Sequence, residues 1–381
     1  MMRIGFDAKK AFFNRAGLGN FSRTLIRTLG ESFPQYSYFL YSPKIKENGL
    51  EGFAKDLDTC SIRSVANGWG RFAPSLWRSF LGKTLEQDKI DLYHGLAHEL
   101  PFNFHRIKTK GIVSMHDVIF LRYPHLYASL DRAILGVKYR YACQHADHIV
   151  AISEQTRQDL HSLLSVPLNR ISVIYQSCNP IYYKVVRQAK REAIREKLKL
   201  PKEFLLSVGT IEERKNLLRT LQALSQLEGK LSIPLVVVGG ERRSYVKRIR
   251  SFITSNKMEK QLVFLKGISN EDLAALYQMA NAVVYPSLYE GFGLPVLEGL
   301  ASRVPVITSK GGCMEEAGGL AAYYVNPKDV NSIAQGIETA LTNRSLQEER
   351  IDIGWEHAQK FRMDHVGRQW IRLYERVLAE G

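Results

Sequence analysis

What most constrains this chain is an alternation that runs from one end to the other: short apolar runs of strand length, separated by stretches with helical spacing. In the first half Arg3–Phe6, Tyr38–Tyr41, Leu92–His94, Gly111–Met115, His148–Ala151 and Ile171–Tyr175 read as strands, with helices at Asn20–Leu29 and Arg132–His145. The second half repeats the pattern with strands at Phe204–Val208, Leu235–Val238, Leu262–Leu265, Ala282–Tyr285, Val304–Ile307 and Ala322–Val325. Its helices read as Asn216–Leu227, Glu271–Met279, Pro295–Ser302 and Val330–Thr342. Strands buried on both faces are nearly continuous in apolar residues, and parallel strands need crossover helices, so this order predicts an α/β chain with parallel sheets covered on both sides.

A chain of 381 residues exceeds one ordinary hydrophobic core and predicts two domains. Between the halves, Gln176–Tyr183 contains Asn179-Pro180 and reads as a turn, and a charged helix, Lys190–Leu198, follows it. The expected division is 1–185, 186–355 and 356–381, the last a tail whose helical stretch reads as Gly354–Leu378 and is anchored by Phe361, Trp370 and Tyr374. No internal sequence repeat is visible, so one architecture is used twice.

The net charge of +15 points to anionic partners. Residues 1–180 carry 23 Lys+Arg against 15 Asp+Glu, a surplus of 8, and the remainder carries 30 against 23, a surplus of 7. An excess spread over both halves suits phosphorylated ligands or an anionic membrane surface. No recognisable nucleic-acid module accompanies it, and no nucleic-acid partner is expected. Cys60, Cys143, Cys178 and Cys313 are far apart and form no Cys-x-x-Cys pair, which fits a reducing compartment and neither zinc nor a disulfide framework. The start of the chain does not read as a secretory signal and no apolar run is long enough to span a bilayer. A cytoplasmic protein is expected, with any membrane contact peripheral and on the cytoplasmic face.

The most informative stretch runs from Pro286 to Glu298. A strand ends at Tyr285, a glycine-bearing loop follows, and Pro295 falls where the first turn of a helix starts and its missing N–H costs nothing. The N–H groups of Phe292, Gly293 and Leu294 then make an anion site at a helix N-terminus. Glu290 and Glu298 flank it; carboxylates are poor phosphate ligands but good acceptors for sugar hydroxyls. Read alone, either glutamate is equally well a solvated acid favoured by the helix dipole.

In the run Val208-Gly209-Thr210-Ile211-Glu212-Glu213-Arg214-Lys215-Asn216, Arg214 and Lys215 sit at a strand–helix turn. A planar guanidinium fork beside a mobile ammonium suits a diphosphate and the charge that builds on it as it leaves. Near the start, Arg15-Ala16-Gly17-Leu18-Gly19-Asn20 follows the first strand, and its glycines allow close backbone approach to a phosphate. It is not a full dinucleotide fingerprint, and no complete phosphate-loop signature is present. His116-Asp117 ends the Gly111–Met115 strand, where parallel strands face a ligand crevice, with Asp117 placed to orient the imidazole. His94, at another strand end, is a weaker candidate for the acceptor side. Lys266-Gly267-Ile268-Ser269-Asn270 lies between a strand and a helix. Finally, Trp69–Leu85 mixes Trp69, Phe72, Trp77 and Phe80 with Arg71, Arg78 and Lys83. It suits an anionic membrane surface or a lipid-linked acceptor, but reads more simply as a helix whose aromatic side packs on a sheet while its basic side meets water.

The Glu290–Glu298 spacing resembles the Glu–seven residues–Glu motif of the family 4 retaining glycosyltransferases, and the likeness covers nearly the whole chain, closest to the mannosyltransferase-like branch. That resemblance implies the GT-B fold: two Rossmann-like domains facing across a cleft, the first binding acceptor and the second nucleotide-sugar, with the C-terminal helix returning to the first. It implies that Glu290 contacts the donor sugar and Glu298 the ribose, that Gly17 and Gly19 close over the donor phosphates, and that His116 lies beside the sugar. Gly209, Arg214 and Lys215 take the place of the phosphate clamp. Thr210 stands where many relatives have arginine, a duty that passes to Arg214. Ile268 contacts the base through its backbone and Asn270 reads it through its side chain; an amide there suits guanine less obviously than an acid. Arg214 and Lys215 are expected to replace a divalent ion, so neither metal nor other cofactor is implied. The implied reaction is transfer of a sugar, mannose from GDP-mannose first and UDP-sugars next, to a glycan or lipid-linked acceptor of a cell-surface polysaccharide, with retention. A nucleotide-sugar epimerase of the same fold and a non-catalytic nucleotide-binding protein remain as alternatives.

Overall fold

The structure, a computed structural model, describes residues 1–15, 17–44, 50, 52–64 and 77–380. They form two compact units, Met1–Ser177 with Met363–Gly381, and Cys178–Arg362. In the first, seven parallel strands run β1 (Arg3–Asp7), β2 (Ser37–Ser42), β3 (Cys60–Ser64), β4 (Leu92–Gly95), β5 (Lys110–Met115), β6 (His148–Ala151) and β7 (Ile171–Val173). Their spatial order is β3-β2-β1-β4-β5-β6-β7, so the chain winds one way from β1, then returns to place β4 on its other side. In the second unit β8 (Leu205–Val208), β9 (Leu235–Val238), β10 (Leu262–Leu265), β11 (Ala282–Tyr285), β12 (Val306–Ser309) and β13 (Tyr323–Val325) take the order β10-β9-β8-β11-β12-β13. The winding here reverses between β8 and β11, which pair through Ala282↔Leu205 and Val283↔Leu206. At such a reversal the crossover helices leave to opposite faces and open a crevice beyond the strand ends.

β3 was not expected from the sequence. It is an edge strand, half-buried at best, and so lacks the apolar run that marks the strands inside the sheet. The tail, expected as one helix, is two: Arg344–Gln359 and Met363–Ala379, broken at Lys360–Arg362. Phe361 in that break is buried in the second unit, with its ring 5.6 Å from Phe292. The Met363–Ala379 helix belongs to the first unit. It buries Val366, Trp370, Ile371, Leu373, Tyr374 and Val377 in a core with Phe6, Leu25 and Leu29, and at Gly367 it comes so close to the Gly17–Ser32 helix that a Cβ would stand 2.8 Å from Thr28. Each large side chain buried this way contributes roughly 1.5–3 kcal/mol.

The boundary after Ser177 precedes the expected 185 because the segment that follows is tied to the second unit. The Cys178 N–H donates to Phe361 O at 3.0 Å, the Tyr183 hydroxyl donates to Ala358 O at 2.7 Å, and the Tyr182 ring meets Tyr277 edge-on. Among the described residues no helix is long and apolar enough to cross a membrane. Of the basic and aromatic stretch, Trp69, Arg71 and Phe72 lie outside the described residues. Trp77 and Arg78 are buried, Arg78 against Asp7 at 2.6 Å and Glu99 at 2.9 Å, which places both in the interior of the unit and not on a lipid-facing surface.

Candidate active site

The winding reversal of the second unit falls between the two strands whose following loops carry the charged residues. After β8 the chain turns at Gly209, whose φ of +141° suits glycine, and passes through a single turn, Glu213–Lys215. Asn216 then takes a left-handed φ of +65°, which asparagine tolerates, and its amide donates to Pro286 O at 2.9 Å and Pro327 O at 2.6 Å. Arg214 O accepts from the Leu288 N–H at 2.8 Å and the Ser287 hydroxyl at 2.9 Å. Backbone and short polar side chains thus fasten the β8 loop to the β11 loop and fix where their charged residues point.

Between them lies Glu290. Its Oε2 is 2.5 Å from Arg214 Nη1, its Oε1 is 2.6 Å from Lys215 Nζ, and Oε1 also accepts from the hydroxyls of Ser287 at 2.6 Å and Tyr285 at 3.0 Å. Lys215 contacts the Tyr285 hydroxyl as well. Burial by itself drives this carboxyl upward, but Lys215 and Arg214 outweigh it and hold its pKa down to about 2. Burial likewise acts against the Arg214 charge and is overcome by Glu290 and Glu212, so the guanidinium is held firmly protonated. For Lys215 burial prevails and its pKa is lowered despite Glu290. Arg214 also reaches Tyr289 O at 2.7 Å and Glu212 at 2.6 Å, and Glu212 in turn pairs with Arg242 at 3.0 Å. Glu212 and Arg242 extend the cluster beyond the residues that the sequence pointed to.

The helix after the β11 loop runs Leu294–Ala301, with Pro295 in its first turn and Gly293 before it at φ +125°. Among the described residues the N–H groups of Gly293 and Leu294 donate to no acceptor. Phe292 is turned into the core. Glu298 lies on the same helix and accepts from Tyr277 at 2.7 Å; burial lifts its pKa to about 7 against the hydrogen bonds from Tyr277 and Tyr182. These two tyrosines come from elements far off in the chain and carry no signal in the sequence. Ile268 is half-buried and Asn270 exposed, at the start of the Asn270–Met279 helix, where Ser269 caps by accepting from the Asp272 N–H at 3.1 Å.

The first unit treats its candidates differently. Gly19, expected in a phosphate-closing loop, lies inside the Gly17–Ser32 helix, and a Cβ there would stand 1.8 Å from Asn14 O, so its need for glycine comes from packing. Gly17 opens that helix, with nothing within 4 Å of a would-be Cβ. His116 is buried at the end of β5. Its Nε2 pairs with Leu96 O at 2.8 Å and its Nδ1 with Gln176 Nε2 at 3.0 Å, so Nε2 carries the proton and Nδ1 accepts. Gln176 therefore orients the imidazole, whereas Asp117 accepts the Ile119 N–H at 3.0 Å. Burial and the neighbouring His98 hold His116 neutral, lowering its pKa to about 3. His94 is wholly internal, bonded to Tyr374 at 2.7 Å and Ser114 at 2.8 Å and lying beside the Trp370 ring, which removes it as an acceptor contact. Asp56-Leu57-Asp58, an Asp-x-Asp run, occupies the turn before β3 with both carboxylates on exposed residues.

Residues 190–356 match the family model of glycosyl transferases group 1, and residues 48–180 that of Glycosyltransferase Family 4. The O-antigen chain mannosyltransferase B of Escherichia coli is 30% identical over 301 residues, which are 76% of this chain and 76% of that protein. Among solved structures, the sucrose-phosphate synthase of Thermosynechococcus elongatus superposes with a TM-score of 0.80 at 19% identity, covering all of both chains. The Anabaena protein HepE, in complex with UDP and glucose, superposes at 0.78 with 17% identity, over 98% of this chain and 100% of that one. Two parallel-sheet units of this topology form the GT-B fold. With that fold, both family models in register along it, and a relative matched over three quarters of each chain, the protein belongs to the family 4 glycosyltransferases.

Proposed function

We propose that this glycosyltransferase transfers mannose from GDP-mannose to a glycan or lipid-linked acceptor, with retention at the anomeric carbon and with no metal ion. The observation that carries this reading is the Glu290 carboxylate held between Arg214 and Lys215 at the β8/β11 reversal, beside two helix-start N–H groups. Arg214 and Lys215 supply the positive charge that a departing nucleoside diphosphate needs, and the N–H groups of Gly293 and Leu294 add the positive end of a helix dipole. Glu290, fixed by four donors, accepts hydrogen bonds from the sugar's hydroxyls, and Glu298 accepts from the ribose. With both His116 nitrogens committed inside the protein, that residue shapes its pocket and moves no proton. The leaving phosphate is the base that remains for the acceptor hydroxyl.

The donor sugar is supported by the mannosyltransferases among the relatives, the E. coli O-antigen enzyme foremost. A UDP-sugar is the second reading, favoured by an amide in place of an acid at Asn270. A thermal-shift screen against GDP, UDP, ADP and their sugar conjugates separates the two. At a hundred times its dissociation constant a ligand stabilises the native state by about 2.7 kcal/mol. Selective stabilisation by GDP and GDP-mannose is expected; a UDP-selective response transfers the assignment, and no response to any nucleotide defeats it. Anomeric NMR of the first product tests stereochemistry, where a β-linked product would rule out retention of the α-configured donor. Conversion of free donor without acceptor would favour an epimerase.

A further inference from the structure

An exposed helix on a water-soluble surface carries mostly polar residues outward, and the Ser129–His145 helix sets a row of large apolar side chains among them. Its inner side buries Gly136, Tyr139, Ala142 and Cys143 in the first unit. Its outer side presents Leu130, Ile134 and Val137, exposed by 72%, 46% and 59%, at the three- and four-residue spacing that aligns them in one row. Tyr141 continues the row one turn on. Its hydroxyl donates to Phe102 O at 2.5 Å and its ring lies 5.1 Å from that of Phe102, itself 41% exposed. Half of the eight large apolar side chains exposed among the described residues therefore share this one surface.

The charge around the row is mostly positive: Asp131, beside Leu130, is the one acid of the helix, and Lys138 pairs with Glu99. Arg140 flanks Tyr141 on the helix, and Arg106 and Lys108 follow Phe102; all three are exposed and form no ion pair among the described residues. The helix carries Arg132, Lys138 and Arg140 against a single acid, Asp131. Two copies of the chain meeting here about a twofold axis would set these cations against their own counterparts, in a protein whose net charge is already +15. An anionic bilayer surface answers both features: headgroups neutralise the arginines and lysine while the apolar row enters the interface.

We propose that this face, Leu130, Ile134, Val137 and Phe102 with Arg106, Lys108 and Arg140, is a docking surface for an anionic lipid bilayer. It is separate from the donor site in the second unit and does not depend on which sugar is transferred.

Cosedimentation of the full chain with vesicles tests this. The protein should pellet with vesicles of equal parts phosphatidylcholine and phosphatidylglycerol, stay in solution with pure phosphatidylcholine, and be released by salt. Replacing the apolar row (Leu130→Gln, Ile134→Gln, Val137→Gln) and, separately, the cations (Arg106→Gln, Lys108→Gln, Arg140→Gln) should each weaken binding at least about tenfold. All six positions lie at the surface, and circular dichroism melts of both variants should match the parent. Failure of the parent chain to bind anionic vesicles overturns the proposal, as does unchanged binding of the apolar variant. Self-association of the parent without vesicles, abolished in the apolar variant, would assign the face to a second copy and also overturn it.

Discussion

Glu290 and Glu298 stand eight positions apart and titrate in opposite directions, because one has cations beside it and the other only phenols. Burial alone would raise both. For Glu290, Lys215 and Arg214 reverse the sign; its pKa falls to about 2, so its contribution to stability is present above the ordinary carboxylate range near 4.5 and lost as pH falls towards 2. Glu290→Gln keeps the volume and strands two buried cations. It should cost about 3 kcal/mol at neutral pH, flatten the acid limb of a urea-unfolding pH series, and lower kcat at least about a hundredfold. A variant with parental kcat would remove Glu290 from the chemistry. Glu298 is the reverse case: the native state keeps a proton, up to about pH 7, that the unfolded chain releases near 4.5. Its contribution is therefore whole below 4.5 and declines as pH rises to 7. Glu298→Gln should be about 1–3 kcal/mol more stable than the parent above pH 7, read from the same denaturation series. If its carboxylate accepts from the ribose, the parent's donor KM should fall as pH rises through 7 and that of the variant should not.

At the scale of elements, legibility followed burial. Strands inside a parallel sheet meet helices on both faces, so nearly every position is apolar and the run stands out in one sequence; β8, β9 and β11 were readable for that reason. β3 was not, because an edge strand has half its surroundings in water. Arg214, Lys215 and Glu290 were readable because each lies just beyond a strand end, and the pairing of β8 with β11 brings the two loops together. Tyr277, Tyr182 and Gln176 were not, since their contacts depend on how distant elements pack. Gly19 is ambiguous in sequence: glycine after a first strand suits both a phosphate loop and a tight helix contact, and the structure shows the tight contact, with an added Cβ 1.8 Å from Asn14 O. Gly293 shows the converse, a glycine demanded by backbone. At φ +125°, an added Cβ would lie 3.1 Å from Met314 and 3.3 Å from Ala317. Gly293→Ala should cost about 1–3 kcal/mol and weaken binding of nucleoside diphosphates, since the N–H groups that follow would turn away. Isothermal titration with GDP and UDP checks it; unchanged affinity would exclude this helix start from the phosphate site.

The whole molecule is two units whose cores are assembled differently. The second, Cys178–Arg362, is one continuous stretch, whereas the first needs both ends of the chain. The Met363–Ala379 helix places Trp370 and Tyr374 at full burial in the first core, where they surround His94: Tyr374 bonds Nδ1 and the Trp370 ring lies 4.7 Å away. Removing the helix would expose Phe6, Leu25 and Leu29 and take from His94 Nδ1 its Tyr374 partner while Nε2 keeps Ser114, a combination of cavity, apolar exposure and lost hydrogen bond that no side-chain movement repairs. A chain ending at Arg362 should therefore lose cooperative unfolding of the first unit and bind a hydrophobic dye. The second unit keeps its core, its charged cluster and the Phe361 contact with Phe292, and should melt within a few degrees of its temperature in the full chain. Trp370→Ala is the graded form of the same experiment: it should cost about 3–5 kcal/mol, confined to the first unit's transition. Differential scanning calorimetry of all three chains distinguishes the outcomes. If both transitions moved together in the shortened chain, the units would be one cooperative body, and the division of labour between a unit completed by the C-terminal helix and a self-sufficient one would fail.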